Sequence, residues 1–236
     1  MTTLVIITGA SKGIGRSTAI AFAKDQRIQH LGLCLIARNQ EGLMQTQALA
    51  RNSASPGKMI LSSTHSVDLS NLDTLEMKIK SVFKEKMRSS DRYERVILIN
   101  NAGSLGFLGP SSDLPSPNEL KESLDFNITS SIWISSYFVR FFGHEHNMKC
   151  NVVNMSSLCG VEPFKTMAMY CSGKAAVRMQ FLYLFFFNKL SYEAMLQMSH
   201  FQFVFLTARY VAQDIGNRRK WRDGEDTELR SWSHRN

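Results

Sequence analysis

The chain has 236 residues, of which 44% are hydrophobic and 20% charged, with five prolines and a formal net charge of +8. At this length folding buries roughly 70% of the surface of an extended chain, so a core forms without metal or disulfides. Disordered, collagen-like and small disulfide-scaffold proteins are therefore excluded.

Four cysteines, Cys34, Cys150, Cys159 and Cys171, lie far apart, with no CxxC pair and no histidine at ligand spacing. That pattern implies buried thiols in a reducing compartment and no metal site. The basic residues are scattered except at Arg218, Arg219, Lys220 and Arg222, which Asp223, Glu225, Asp226 and Glu228 follow at once. A mixed run of this kind is a solvated face, so nucleic acid is not the expected partner, and the surplus suits a small anionic ligand.

In chain order, Leu4 to Thr8 (LVIIT) is an apolar β-rich run, as expected of a strand buried on both faces. The segment Met1 to Ala10 lacks a basic start and runs into glycines, so it reads as a strand rather than a signal peptide. Gly9 to Gly15 forms a turn, and Arg16 to Lys24 has helical spacing. Leu31 to Ala37 predicts a second strand, Glu41 to Arg51 a helix, Ser62 to Val67 a third strand and Leu72 to Met87 an amphipathic helix. Val96 to Ile99 predicts a fourth strand, Gly106 to Asn118 a surface loop, Leu120 to Phe142 one long helix and Asn151 to Met155 a fifth strand.

Beyond Leu182 the chain is rich in Phe and Met, then in Arg, with a possible sixth strand at Phe201 to Leu206. The longest apolar run, Phe181 to Phe187, falls short of the ~20 residues that span a bilayer, so no membrane partner and a cytoplasmic location are expected. Strands alternating with helices predict an α/β fold with a doubly wound parallel sheet in three αβα layers.

Three constellations carry chemistry. In TGASKGIG, Thr8 to Gly15, Gly9 permits a tight turn, Gly13 a close backbone approach to phosphate and Gly15 close helix packing. At the end of the second strand, Arg38 and Asn39 stand where an acid would select NAD; a guanidinium, with Lys12 nearby, suits the 2′-phosphate of NADP. Asp68 reads either as an acceptor for an adenine amino group or as a helix N-cap, and NNAG, Asn100 to Gly103, as a ribose-side passage or a turn.

Ser157, Tyr170 and Lys174 form the third constellation. Tyr170 and Lys174 at i and i+4 share a helix face, so the ammonium is expected to stabilise phenolate and make Tyr170 a proton donor near neutral pH. Ser157, at the end of the fifth strand, is placed to hydrogen-bond a carbonyl.

Together, ITGASKGIGR, LIARN, LINNAGSLG and NVVNMSSLCGVEPFKTMAMYCSGKAA resemble the short-chain dehydrogenase/reductase family, and within it the sepiapterin reductase group, from Met1 to about Phe181. The resemblance implies a Rossmann-like NADP-binding domain over residues 1–181, with 182–236 a divergent tail. It implies a catalytic set of Asn127, Ser157, Tyr170 and Lys174, and substrate contacts from Ser156, Ser157 and Tyr170. It also implies NADP(H) held by Gly9, Ser11, Lys12, Gly13, Ile14, Gly15, Arg38, Asn39, Asp68, Asn101, Tyr170 and Lys174.

The implied reaction is NADPH-dependent reduction of a pterin side-chain ketone toward tetrahydrobiopterin by a possible homodimer. The sequence departs from the family after Phe181: no proline follows Pro163, Gly216 lies in no proline-glycine motif, and neither Asp223 nor Asp226 maps to a substrate acid. Two further expectations stand beside the first, a variant that binds NADP with little catalysis and a reductase of another small carbonyl compound.

Overall fold

The computed structural model describes residues 2–88, 93–114, 116–143, 148–187 and 201–207. Six parallel strands form one sheet: β1 Thr2–Thr8, β2 His30–Ala37, β3 Met59–Ser66, β4 Arg95–Asn100, β5 Lys149–Ser156 and β6 Phe201–Thr207. Their spatial order is β3-β2-β1-β4-β5-β6, so the chain winds outward in both directions from the β1–β4 pair. All strand ends that follow this direction face one rim, and a crevice opens there between β1 and β4.

The alternation of side chains along the strands builds two cores. Leu4 and Ile6 of β1, Val96 and Leu98 of β4 and Val152 of β5 enter one core with Ile79, Phe83, Tyr137, Phe138 and Phe142. Val5, Ile7, Ile97, Ile99 and Val153 enter the other, with Ala19, Ala23, Leu43 and Ala50. The second core is roofed by α1 Gly13–Lys24 and α2 Gln40–Asn52, the first by α3 Leu72–Arg88, α5 Ser130–Phe142 and α6 Ala168–Phe187. A strand apolar on both faces is stable only when both are covered, which is why LVIIT shows no alternation.

Three elements depart from the sequence expectation. β3 begins at Met59, three residues early, and is half exposed along most of its length because it is an edge strand. The helix expected from Leu120 to Phe142 starts at Pro117, the first residue of α4 Pro117–Leu124, where the Ser116 hydroxyl accepts the Glu119 amide at 3.4 Å. Proline suits that position because its missing N–H would have no helical partner. Between α4 and α5 the backbone widens into a π-helical turn, Asp125–Thr129.

α6 runs past Phe181 to Phe187, and β6 pairs with β5 in register from Cys150↔Phe201 to Ser156↔Thr207. The Arg218 charge run, Gly216, Asp223 and Asp226 lie outside the described residues.

Phe83 is fully buried and meets Tyr137 at 5.5 Å in a stacked arrangement, Phe138 at 6.2 Å edge-on and Phe142 at 5.3 Å. Phe83→Ala should therefore destabilise the fold by about 3–5 kcal/mol, read as a lower urea midpoint. A loss below about 1 kcal/mol would contradict this packing.

Thr166 holds φ +66°, a backbone region that penalises a β-branched side chain, while its carbonyl accepts the Gly109 amide at 3.0 Å. Relieving a strain of about 1–3 kcal/mol, less the chain entropy that glycine adds, Thr166→Gly should raise stability by about 1 kcal/mol. An unchanged or lower midpoint would count against strain at this loop.

Candidate active site

The glycine turn leaves β1 and enters α1 under close constraint. Gly9 has φ +66°, and a Cβ there would sit 2.9 Å from the Ala102 Cα. Gly15 is packed just as tightly, since a Cβ on it would collide with the Gly9 carbonyl and lie 2.8 Å from Asn101 Nδ2. Gly13 differs: φ is +55°, yet nothing lies within 4 Å of where a Cβ would be. Its bare backbone therefore faces open space.

Behind the turn, Thr8 Oγ1 accepts the amides of Asn101 at 3.0 Å and Ala102 at 3.1 Å. Asn101 Nδ2 in turn donates to the carbonyls of Thr8 at 3.0 Å and Gly9 at 3.3 Å. NNAG thus holds the glycine turn in place. Asn100 faces away, its Nδ2 donating to Ser135 Oγ at 2.6 Å.

At the end of β2, Arg38 is exposed with its guanidinium 5.7 Å from the Phe126 ring centroid. Asn39 caps α2, its Oδ1 accepting the Gly42 amide at 2.6 Å. Lys12 is exposed at the start of α1, where no side chain caps the helix and the first turn carries no acid. Asp68 accepts the Ser70 amide at 3.0 Å and hydroxyl at 2.7 Å. Burial pushes its carboxyl up, but the Ser70 bonds with Arg38 and Lys78 hold it below its ordinary value. It is not the cap of α3, because Asn71 Oδ1 takes that role by accepting the Thr74 amide at 3.2 Å.

The chemical end of the rim lies across β4. Ser156 ends β5, and Ser157 begins the 3-10 turn Leu158–Gly160 by accepting the Cys159 amide at 3.2 Å. Lys174 Nζ donates to the Met155 carbonyl at 2.8 Å and lies 5.5 Å from the Tyr170 ring centroid.

This arrangement corrects the expected electrostatics. Burial pushes the Tyr170 phenol up, with the Ser157 hydroxyl opposing, and Lys174 is not among the groups that shift it. The ammonium is itself pushed down by burial. Lys174 lies over the ring and donates to a backbone carbonyl, and burial raises the phenol above its ordinary value instead of drawing it toward phenolate.

Asn127 sits in the π-helical turn, its Oδ1 accepting the Ser104 amide at 2.9 Å and its Nδ2 donating to the Ser123 carbonyl at 3.1 Å. Gly103 separates it from Lys174: a Cβ there would stand 3.5 Å from Asn127 Oδ1 and 3.6 Å from Lys174 Nζ. The space between carboxamide and ammonium therefore exists because position 103 has no side chain.

One cavity of about 740 Å³ joins both ends. Gly9, Ser11, Lys12, Gly13, Ile14, Arg38, Asn39 and Asn101 line one part, and Ser156, Tyr170 and Lys174 the other. Gly15, Asp68, Asn127 and Ser157 are not among its lining residues. Arg16, Phe126, Ser104 and Met155 also line it, and the sequence assigns none of them a role. Arg16 Nε donates to Thr46 Oγ1 at 3.0 Å, and its Nη2 to the Ser11 carbonyl, clasping the turn to α2.

A dinucleotide fits this donor set. Uncapped helix amides and the bare Gly13 backbone suit a pyrophosphate, while Arg38 and Lys12 suit a further phosphate. Among the described residues no group of three metal-ligating side chains occurs, and no helix is long and apolar enough to cross a membrane.

Comparison with known proteins agrees with this architecture. The chain is 34% identical over 180 residues to sepiapterin reductase of Bos taurus, covering 76% of this chain and 65% of that protein. It is 30% identical over 177 residues to benzil reductase ((S)-benzoin forming) of Bacillus subtilis (strain 168), covering 75% and 63%. The chain thus spans just under two thirds of these relatives. A metagenomic short-chain oxidoreductase, solved in complex with NADP, superposes with a TM-score of 0.65 at 21% identity over 87% of this chain and 81% of that one, so the two share a fold. The family model for short chain dehydrogenase matches residues 3–184, and the chain belongs to that family of oxidoreductases.

Proposed function

We propose that the protein is an NADPH-dependent carbonyl reductase of sepiapterin reductase type, acting on the side-chain ketone of a pterin. The observation that carries this reading is the single cavity running from Arg38 and Lys12, past the open Gly13 backbone, to Ser156, Tyr170 and Lys174. The similarity to sepiapterin reductase from Bos taurus supports the pterin, and the similarity to benzil reductase keeps a second reading, an aromatic diketone in the same place.

When bound, the nicotinamide supplies the hydride. The protein's own residues would do the rest. The amides that open α1 bind the pyrophosphate, and Arg38 with Lys12 binds the 2′-phosphate. Ser157 donates a hydrogen bond to the substrate carbonyl and orients it. Tyr170 delivers a proton to the carbonyl oxygen, and its raised pKa keeps that proton in place at neutral pH. Lys174, half-buried over the Tyr170 ring, ties α6 to the end of β5 through the Met155 carbonyl and so positions the phenol. Asn127, across Gly103 from Lys174, keeps the local backbone spread by holding the Ser104 amide.

The pH dependence follows in sign. A proton donor whose pKa is raised is fully loaded below that value, so turnover in the reducing direction should fall only as pH rises above tyrosine's ordinary 10.0.

Two substitutions test the reading. Tyr170→Phe should lower kcat for NADPH oxidation with sepiapterin by about 100-fold or more while leaving the NADPH Kd, from fluorescence titration, nearly unchanged. Normal turnover would exclude the assigned role. Arg38→Asp should weaken NADPH by about 100-fold, roughly 3 kcal/mol, with little change for NADH. An unaltered preference would overturn the cofactor assignment. Failure of the unmodified protein with sepiapterin, together with turnover of benzil, would favour the second substrate.

A further inference from the structure

The two cations assigned to the 2′-phosphate stand on different loops. Lys12 belongs to the glycine turn that enters α1, and Arg38 to the loop that enters α2. One phosphate meets both cations only if the two loops keep a fixed spacing. The amides that open α1 and the bare Gly13 backbone, by contrast, lie on the first loop alone. The spacing therefore bears on a phosphorylated ribose and little on the pyrophosphate.

A single side chain bridges the seam between these loops. Arg16, half-buried on α1, lines the cavity there. Its Nε donates to Thr46 Oγ1 on α2 at 3.0 Å. Its Nη2 donates to the Ser11 carbonyl on the glycine turn and, across the seam, to the Gly42 carbonyl at 3.4 Å and Gln45 Oε1 at 3.2 Å. All four acceptors are uncharged, so the guanidinium acts here as a fork of donors.

Thr46 completes the bridge from the other side. It is fully buried, and its hydroxyl lies 2.9 Å from the Ala10 carbonyl at the head of the turn and 2.9 Å from the Gly42 carbonyl. Accepting from Arg16 leaves its one proton for these carbonyls. The backbones are in contact at the same place. A Cβ on Gly42 would stand 2.9 Å from the Ser11 carbonyl oxygen and 3.0 Å from the Ser11 Cβ.

We propose that Arg16 is a positioning residue for cofactor selection: through Thr46, and against the bare Gly42, it fixes the spacing of the loops that carry Lys12 and Arg38. The inference rests on the NADPH reading above and names what holds that selectivity in place. Charge alone does not suffice for this role. A lysine would keep the charge, but its ammonium is a single point and cannot reach Thr46 and Ser11 at once as a planar fork does.

The test uses the full chain and the dissociation constants of NADPH and NADH from fluorescence titration, with the urea midpoint measured beside them. Arg16→Lys and Thr46→Val should each raise the NADPH Kd about tenfold while the NADH Kd changes by less than about threefold. Thr46→Ser retains the hydroxyl and should return the NADPH Kd to within about twofold of the unmodified protein. Gly42→Ala favours the helix itself yet drives α2 off Ser11, so it should lower the NADPH preference by about tenfold without a lower midpoint. Phe83→Leu weakens the opposite core and should leave the preference intact, because a loss of stability alone does not move the loops apart.

Full NADPH preference in Arg16→Lys or Thr46→Val, or equal weakening of both cofactors, would overturn the proposal. So would a Thr46→Ser protein as impaired as Thr46→Val, unaltered preference in Gly42→Ala, or a matching loss in Phe83→Leu. An unmodified protein that binds NADPH no tighter than NADH rejects the cofactor reading, and the proposal with it. A preference abolished by Arg38→Asp but kept by Arg16→Lys retains that reading and rejects the positioning role alone.

Discussion

The fastening of β1 to β4 at their C-terminal ends is the constraint on which the site depends. The two strands are neighbours in the sheet but lie some ninety residues apart in sequence, and the chain winds away from them in opposite directions. Without further restraint the two loops leaving this pair would spread. The Thr8 hydroxyl and the Asn101 carboxamide prevent that through four hydrogen bonds between the strand ends. Gly9 and Gly15 are the complement of this arrangement, because either with a side chain would strike the groups the bonds bring together. The amide-rich start of α1 is thereby aimed into the crevice.

A second constraint governs the chemical end. Lys174 is half-buried, and an ammonium withdrawn from water is costly unless its protons find acceptors. The Met155 carbonyl, at the end of β5, supplies one at 2.8 Å, tying α6 to the strand that carries Ser156 and leads to Ser157. The same placement puts the charge over the Tyr170 ring rather than at its oxygen. Burial then dominates the phenol, and Ser157 is the group opposing it.

The π-helical turn at Asp125–Thr129 links the two ends. A wider turn rotates side chains away from the positions a regular helix would give them, and such turns recur at functional sites. Here it lets Asn127 hold the Ser104 amide while the adjacent Phe126 turns its ring toward Arg38. One local irregularity therefore serves both the loop beside Lys174 and the cation at the end of β2.

Much of this was legible in the sequence, for a physical reason. Unbroken apolar runs such as LVIIT and LGLCLIA can be stable only as strands covered on both faces, and their alternation with helical spacing leaves few topologies but a doubly wound parallel sheet. Glycine spacing, the YxxxK pair and Arg38 after β2 are local signals, and the fold brings them to one rim and one cavity. Other features are set by contacts between distant segments. The residue pattern places the start of β3 three residues late because an edge strand need not be apolar, and the π-helical turn has no signature in the periodicity of Leu120 to Phe142.

Sequence by itself determined the elements, the order of the chemistry along the chain and the charge near the expected phosphate, because those follow from residue type and spacing. Only the tertiary structure decided that Asn71 rather than Asp68 caps α3 and that Lys174 serves a carbonyl of β5. Burial and hydrogen-bond partners depend on what the rest of the chain brings alongside, and no local pattern encodes them.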